Sequence, residues 1–498
     1  MRPMPRLVSA LLGAAVMTAC GTPVVTTAAP VIVAPSVATT IDLTKPPTLG
    51  PPPALSVPAI VTRQLANGLK IIVVEQHELP LAEVILEIRT GGEADPAGKP
   101  GTAALTSAML KEGTTARTSL QIDDQQAFLG ATVSVGSGWE QSTISLHTPT
   151  GQLDSAMTLL ADIALHPAFP SADLERVRKT RLTSLQQARD RGPTIADRAF
   201  AAALYGSDNP YGRPLAGTET SIASLTRDDL LRFYTAFYRP NNATLLVVGD
   251  VQPDDIERRA QTLFGAWTRN SVATTTTPNA NSASATTLVL VDKPGAAQSS
   301  FRIGGIGAAR STGDYFALQV MNTLLGGSFS SRLNQNLREV HGYTYGANSG
   351  FSLRRSAGPF TASAEVVTAK TDSALIEFLK ELRSIRDTIP AAELERAKRY
   401  LQLGLPQNFE TTDGIAGELL PLMTYDIPLD FYNSAVQRIE AVTQADVQRV
   451  ARQYIDPNKL TLVIVGDRKV IEPGLRALKP GEIVTREVRD VLGAPPTP

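Results

Sequence analysis

The sequence predicts an α+β fold of two homologous halves, each a mainly antiparallel sheet with helices packed on one face. Three observations carry this. First, residues 221–250 and 438–467 match over thirty ungapped positions at an offset of 217. Second, each copy ends in a short apolar run closed by Gly-Asp, the pattern of a buried strand. Third, the segments between strand-like runs carry helical periodicity, and strands mixed with helical hairpins pack as α+β layers.

In chain order, Leu69–Val74 and Val84–Ile88 read as the first half's opening strands. Thr226-x-x-Asp229 has the form of a capping box opening a helix, and Pro240 prevents that helix from continuing. Leu245–Val248, closed by Gly249-Asp250, reads as the next strand. The second copy repeats each feature with Thr443, Asp446, Pro457, Leu462–Val465 and Gly466-Asp467. Leu174-Glu175-Arg176 and Leu394-Glu395-Arg396 form a further pair, offset by 220. Thr287–Val291 and Phe301–Ile303 open the second half, and Leu318, Met321 and Leu325 mark one face of a helix.

Outside the repeat, Arg2 and Arg6 precede an apolar run, Leu7–Met17, and Thr18-Ala19-Cys20-Gly21. A basic head, a short apolar stretch and small residues form a secretory signal peptide, too short to span a bilayer as a mature helix. The sequence's one cysteine, Cys20, falls at the cut site, resembling a lipobox with Met17 in the place of the usual Leu. An ordinary signal peptide with an unrelated cysteine is the other reading. The resulting division is 1–19 signal peptide, 20–58 lipid anchor and Pro/Thr/Ala-rich tether, 59–268 N-terminal half, 269–287 polar linker, 288–490 C-terminal half and 491–498 tail.

Composition narrows the function. Forty-seven Lys and Arg balance 48 Asp and Glu among 498 residues, which argues against a nucleic-acid binder. One cysteine excludes a disulfide framework and a thiolate zinc cluster. The four histidines, His77, His147, His166 and His341, are far apart. His77 with Glu75 and Glu78 is the one local cluster, and it reads as ordinary surface chemistry. No Gly-x-Ser-x-Gly motif and no Cys/His nucleophile pairing is present.

Several segments together resemble the pitrilysin/insulinase family of zinc metallopeptidases. They are Leu65–Lys70, Thr90-Gly91-Gly92, Gly101-Thr102-Ala103, Lys111-Glu112-Gly113-Thr114, Ser331-Arg332-Leu333, Leu337-Arg338-Glu339 and Gly342-Tyr343-Thr344-Tyr345, and the resemblance spans about residues 60–480. It implies a clamshell arrangement of halves. The family's chemistry uses His-x-x-Glu-His on a helix, two imidazoles at i and i+4 holding zinc and a glutamate acting as base. The matching positions here are Ala104, Ser107 and Ala108, and the third ligand's place falls near Ser184. No histidine lies between His77 and His147, and no carboxylate between Glu175 and Asp190.

The second half keeps more of the pattern. By resemblance, Arg338 and Tyr345 match an arginine and tyrosine that reach toward substrate, with Arg332 and Tyr343 as close neighbours. Some relatives work as pairs in which one chain carries zinc and the other supplies this arginine and tyrosine. The resemblance therefore implies a non-catalytic subunit with no metal or cofactor of its own, inactive alone. Zinc is expected in a homologous partner subunit. The other expected partners are an unfolded peptide substrate and a membrane, reached through the lipid on Cys20 in a bacterial periplasm. A stand-alone peptide-binding or scaffold protein of the cell envelope is the alternative.

Overall fold

The computed structural model describes residues 50–51, 55–275, 277–278, 280 and 283–494. The expected signal peptide, Cys20 and most of the tether lie outside the described residues.

Apolar runs in the first half form a six-stranded sheet of β1 (Ile60–Gln64), β2 (Lys70–Glu75), β3 (Leu81–Ile88), β4 (Thr132–Ser137), β5 (Ser142–Pro149) and β6 (Ala243–Gly249). The strand order is β1-β2-β6-β3-β5-β4, with β2–β6 parallel and the other pairings antiparallel. Its helices are α1 (Thr102–Met109), α2 (Ser119–Leu129), α3 (Leu153–Leu165), α4 (Ser171–Ala188), α5 (Gly192–Tyr205), α6 (Glu219–Ser224), α7 (Arg227–Phe237) and α8 (Pro253–Phe264).

The second half repeats the plan with β7 (Thr287–Asp292), β8 (Gln298–Ile306), β9 (Thr344–Phe351), β10 (Pro359–Val367), β11 (Thr461–Gly466) and β12 (Glu482–Glu487). Its order, β12-β7-β11-β8-β10-β9, reproduces the first sheet except at one edge. There β1, from before the repeat, runs antiparallel to β2, whereas β12, from after it, runs parallel to β7. The helices are α9 (Tyr315–Leu325), α10 (Arg332–Asn334), α11 (Thr371–Ser384), α12 (Ala391–Gly404), α13 (Thr412–Thr424), α14 (Ala435–Glu440), α15 (Gln444–Tyr454), α16 (Arg468–Leu478) and α17 (Val488–Leu492). Helix α10 runs directly into a π-helical turn, Gln335–Val340.

Both expected capping boxes are present. Thr226 Oγ1 accepts from the Asp229 amide, while the Thr226 amide donates to Asp229 Oδ2 at 2.9 Å. Thr443 and Asp446 do the same at the start of α15. The polar linker touches both halves: Thr275 donates to Glu93 and Ser356 donates to the Thr277 carbonyl.

Each half's own helices cover one sheet face, as expected. In the first half Ile71, Val73, Val84, Leu86 and Leu245 pack with α1, α3 and α8. The second face is equally apolar: every residue of β6 is buried, so a single helical layer cannot satisfy the sheet. The halves solve this by exchanging helices. From the first half, α5 lays Ile195, Ala196, Ala199 and Phe200 on Val291, Val463 and Val465 of the second sheet. In return α13 lies against β3 and β6, where Ile415, Leu419 and Leu422 join a cluster with Ile72, Val74, Ile85, Leu246 and Val248. Each fully buried aliphatic side chain at such a contact contributes about 1.5–3 kcal/mol.

Polar contacts fix the exchange. Arg302 of β8 donates to Asp197 of α5 at 2.5 Å. At the end of α13, Thr424 donates to Glu87 at 2.6 Å and Tyr425 to Glu140 at 3.2 Å. The Arg354 guanidinium lies over Trp139 at 4.8 Å and Tyr211 at 4.5 Å. Tyr211 also bonds Glu140.

Two carboxyls at this seam are buried with an unpartnered oxygen, Glu87 and Glu93. Burial pushes Glu87 up to about 7. Burial, with the Glu140 charge adding to it, pushes Glu93 up to about 8. A folded-state pKa above the unfolded value means that the folded chain holds protons the unfolded chain releases. The contribution of these two carboxyls to stability is therefore full below about 4.5 and is lost as pH rises through about 7 and about 8. Melting curves at pH 5 and pH 8.5 are expected to show this loss for the native protein and a smaller loss for Glu93→Gln. Equal losses would remove Glu93 as a contributor.

Candidate functional site

Helix α1 starts where the chain turns sharply. Gly101 adopts φ +90°, and a side chain there would lie 2.7 Å from the Gly217 backbone, so glycine is required. Asp95 caps the helix, its carboxylate accepting from the Gly101 amide at 2.6 Å and the Ala103 amide at 2.8 Å. The helix is short. It ends in a 3-10 turn at Leu110–Glu112, and Gly113 follows at φ +143°.

Ala104 and Ala108, one turn apart, form one wall of a cavity of about 450 Å³. The other walls come from Gly136 and Ser137 of β4, from Lys111 and from Arg181 of α4. Ser107 sits on the other side of the helix, buried, with Oγ 3.2 Å from the Tyr238 hydroxyl. Ser184 is exposed, donates back to the Thr180 carbonyl at 3.0 Å, and is not part of the cavity wall. The α4 side chain in the cavity is Arg181, one turn earlier.

This donor set does not fit zinc. Two methyl groups offer no ligand, the one hydroxyl facing the cavity is Ser137, the one carboxylate, Glu112, is held by Arg176, and Lys111 and Arg181 oppose a divalent ion. Among the described residues, no three His, Cys, Asp or Glu side chains group as a metal site.

The histidines are held by local carboxylates. His77 bonds Asp250 at 2.7 Å and Glu75 at 3.0 Å, so Asp250 takes the place expected for Glu78. Those two hydrogen bonds raise its pKa. His147 meets Glu83 at 3.3 Å, His166 meets Asp162 at 3.5 Å, and His341 stacks on Tyr343 at 4.8 Å.

In the second half the structure separates the two arginines and two tyrosines. Arg332 is tied inward, donating to Glu393 at 2.9 Å and to the Thr388 carbonyl at 2.8 Å. Tyr343 is half-buried in its stack on His341. Arg338 instead lies in the π-helical turn, its guanidinium 4.6 Å from the exposed Phe329 ring and 3.3 Å from Glu339. Tyr345, the second residue of β9, is 91% exposed. Phe329 and Val340 are also open to solvent. A tyrosine and an arginine presented this way can donate to a peptide or an oxyanion. Neither residue lines the first-half cavity.

Sequence reasoning placed α1 and the alanines of this site but missed Arg181. The sequence of α4 carries no local signal for it, since the face of α4 that meets α1 is set by packing.

A duplicated α+β chain of two six-stranded halves that exchange helices is of the metallopeptidase-like class. Two family models match it, one after the other, over residues 70–401. The insulinase (peptidase family M16) model covers residues 70–219. The peptidase M16 inactive domain model covers 224–401. The chain belongs to the M16 family. An uncharacterized zinc protease of Mycobacterium leprae is 26% identical over 397 residues, covering 79% of this chain and 88% of that protein. A probable mitochondrial-processing peptidase subunit beta of Arabidopsis thaliana is 24% identical, covering 83% and 79%. The crystal structure titled peptidase M16 inactive domain from Pseudomonas fluorescens superposes with a TM-score of 0.77 at 25% identity, covering 82% of this chain and 98% of that one. A protease from Helicobacter pylori, also at 0.77 and 21% identical over 82% and 100% of the two chains, shares the fold.

With alanine at positions 104 and 108 and serine at 107 and 184, the purified protein is expected to carry no stoichiometric zinc. Elemental analysis after dialysis checks this, and one tightly held zinc per chain would contradict it.

Proposed function

We propose that this chain is the non-catalytic subunit of a heterodimeric M16 zinc peptidase, handling unfolded peptide for a zinc-bearing homologous partner. The observation that supports it is an asymmetry. The first half has no metal ligands at the motif positions, while Arg338 and Tyr345 stand on the surface and their neighbours Arg332 and Tyr343 are used internally. Zinc belongs to the partner, and this chain has no cofactor of its own. Arg338 hydrogen-bonds peptide carbonyls, and the Tyr345 hydroxyl donates to the oxyanion that develops at the scissile bond.

One oxyanion donor is worth roughly 100-fold to 1,000-fold in turnover. Tyr345→Phe is therefore expected to lower peptide cleavage by the reconstituted pair by about 100-fold or more while assembly persists on size exclusion. Arg338→Ala is expected to weaken peptide binding as well. Both variants cleaving at the native rate would leave a stand-alone peptide-binding or scaffold role as the better account.

We further infer that the protein is anchored in the bacterial envelope, facing the periplasm, through lipid on Cys20. The basic and apolar leader ending at the sequence's one cysteine supports this. Firm anchoring needs more than one acyl chain. Mass spectrometry of the mature N-terminal peptide is expected to find Cys20 first and multiply acylated. An unmodified Cys20, or cleavage elsewhere, would refute the anchor.

A further inference from the structure

We propose that the cavity between α1, β4 and α4 is a binding site for a peptide carboxylate, with Arg181 and Lys111 as its cationic contacts. The site belongs to this chain alone and stands whether or not a partner subunit exists.

The argument begins with charge pairing along α4. Arg176 is paired with Glu112 and Asp173, Arg178 with Glu175, and Arg189 with Glu219 at 2.8 Å. Arg181, on the same helix, has no hydrogen-bond or ion-pair partner among the described residues, and burial alone lowers its pKa. It is half-buried in the cavity wall opposite Ala104 and Ala108. Withdrawing a guanidinium from water without a counter-charge costs free energy. A carboxylate arriving in the cavity would recover that cost through a bidentate pair, the geometry that the planar guanidinium favours.

Lys111 adds a second donor. Its Nζ bonds the Val133 carbonyl at 2.8 Å, which uses one of three donors. It makes no ion pair among the described residues. Glu112 also lines the cavity, but Arg176 already holds it. The lining therefore carries a net single positive charge, which matches a monoanionic carboxylate better than a phosphate dianion. The methyl groups of Ala104 and Ala108 and the bare Gly136 leave about 450 Å³ for the group that carries the charge. Such a volume lies within the range of small-ligand pockets.

The carboxylate has two possible sources, a chain terminus and an acidic side chain, and the test separates them. The full mature chain is titrated calorimetrically with three acetylated decapeptides of Ala, Ser and Gly. One ends in a free acid, one in an amide, and one in an amide with a single internal Glu. At least one carboxylate peptide is expected to bind 10-fold or more tightly than the neutral amide, and the stronger of the two identifies the source. The preference is expected to weaken at high salt. Arg181→Gln is expected to reduce it about 10-fold. Ala108→Glu places a carboxylate in the cavity beside Arg181 and is expected to abolish it without lowering the melting temperature. That variant decides the matter if Arg181→Gln folds poorly. Equal binding of all three peptides, no binding of any, or a preference that survives both substitutions would overturn the proposal.

Discussion

The reciprocal exchange of α5 and α13 is the interaction on which the rest of the molecule depends. Each sheet has a central strand, β6 or β11, that is buried on both faces, and each half's own helices cover one of them. The other face takes a helix from the opposite half. Val291, Val463 and Val465 would meet water without α5, and Ile72, Leu246 and Val248 without α13. The two halves are therefore a single folding problem, although the chain that encodes them is a duplication.

That exchange also sets the site. Helix α4 ends only a few residues before α5 begins, so docking α5 on the second sheet dictates where α4 passes over α1. Arg189, at the end of α4, is pinned to Glu219 of α6. The position of Arg181 across from Ala104 and Ala108 follows from these constraints rather than from any local preference. The same seam stores the buried carboxyls Glu87 and Glu93, since the surfaces that meet there carry polar groups from both halves.

The cavity beside α1 holds no set of metal ligands among the described residues. Alanine methyls on α1 share its lining with a lysine and with a guanidinium that has no partner among the described residues, while the lining Glu112 is held by Arg176, so its electrostatic preference runs toward anions. The arginine and tyrosine of the second half sit on a separate surface, where a π-helical turn and the first residues of β9 hold them outward.

Local sequence patterns determined a great deal. The capping boxes at Thr226 and Thr443, the strands around Leu245 and Leu462 and the face of α9 were all legible, because each depends on residues within a few positions of one another. The duplication was legible because matching spacing survives in the chain. What only the tertiary structure decided depends on contacts between distant residues. Which helix covers which sheet cannot be read from α5 or α13, since an apolar helical face carries no address. Asp250 rather than Glu78 bonds His77 because the β2–β6 pairing brings positions 173 residues apart side by side. Arg181 rather than Ser184 enters the cavity because helix packing sets the rotation of α4. That rotation is a property of the assembled layers and not of the segment Arg181–Gln186 itself.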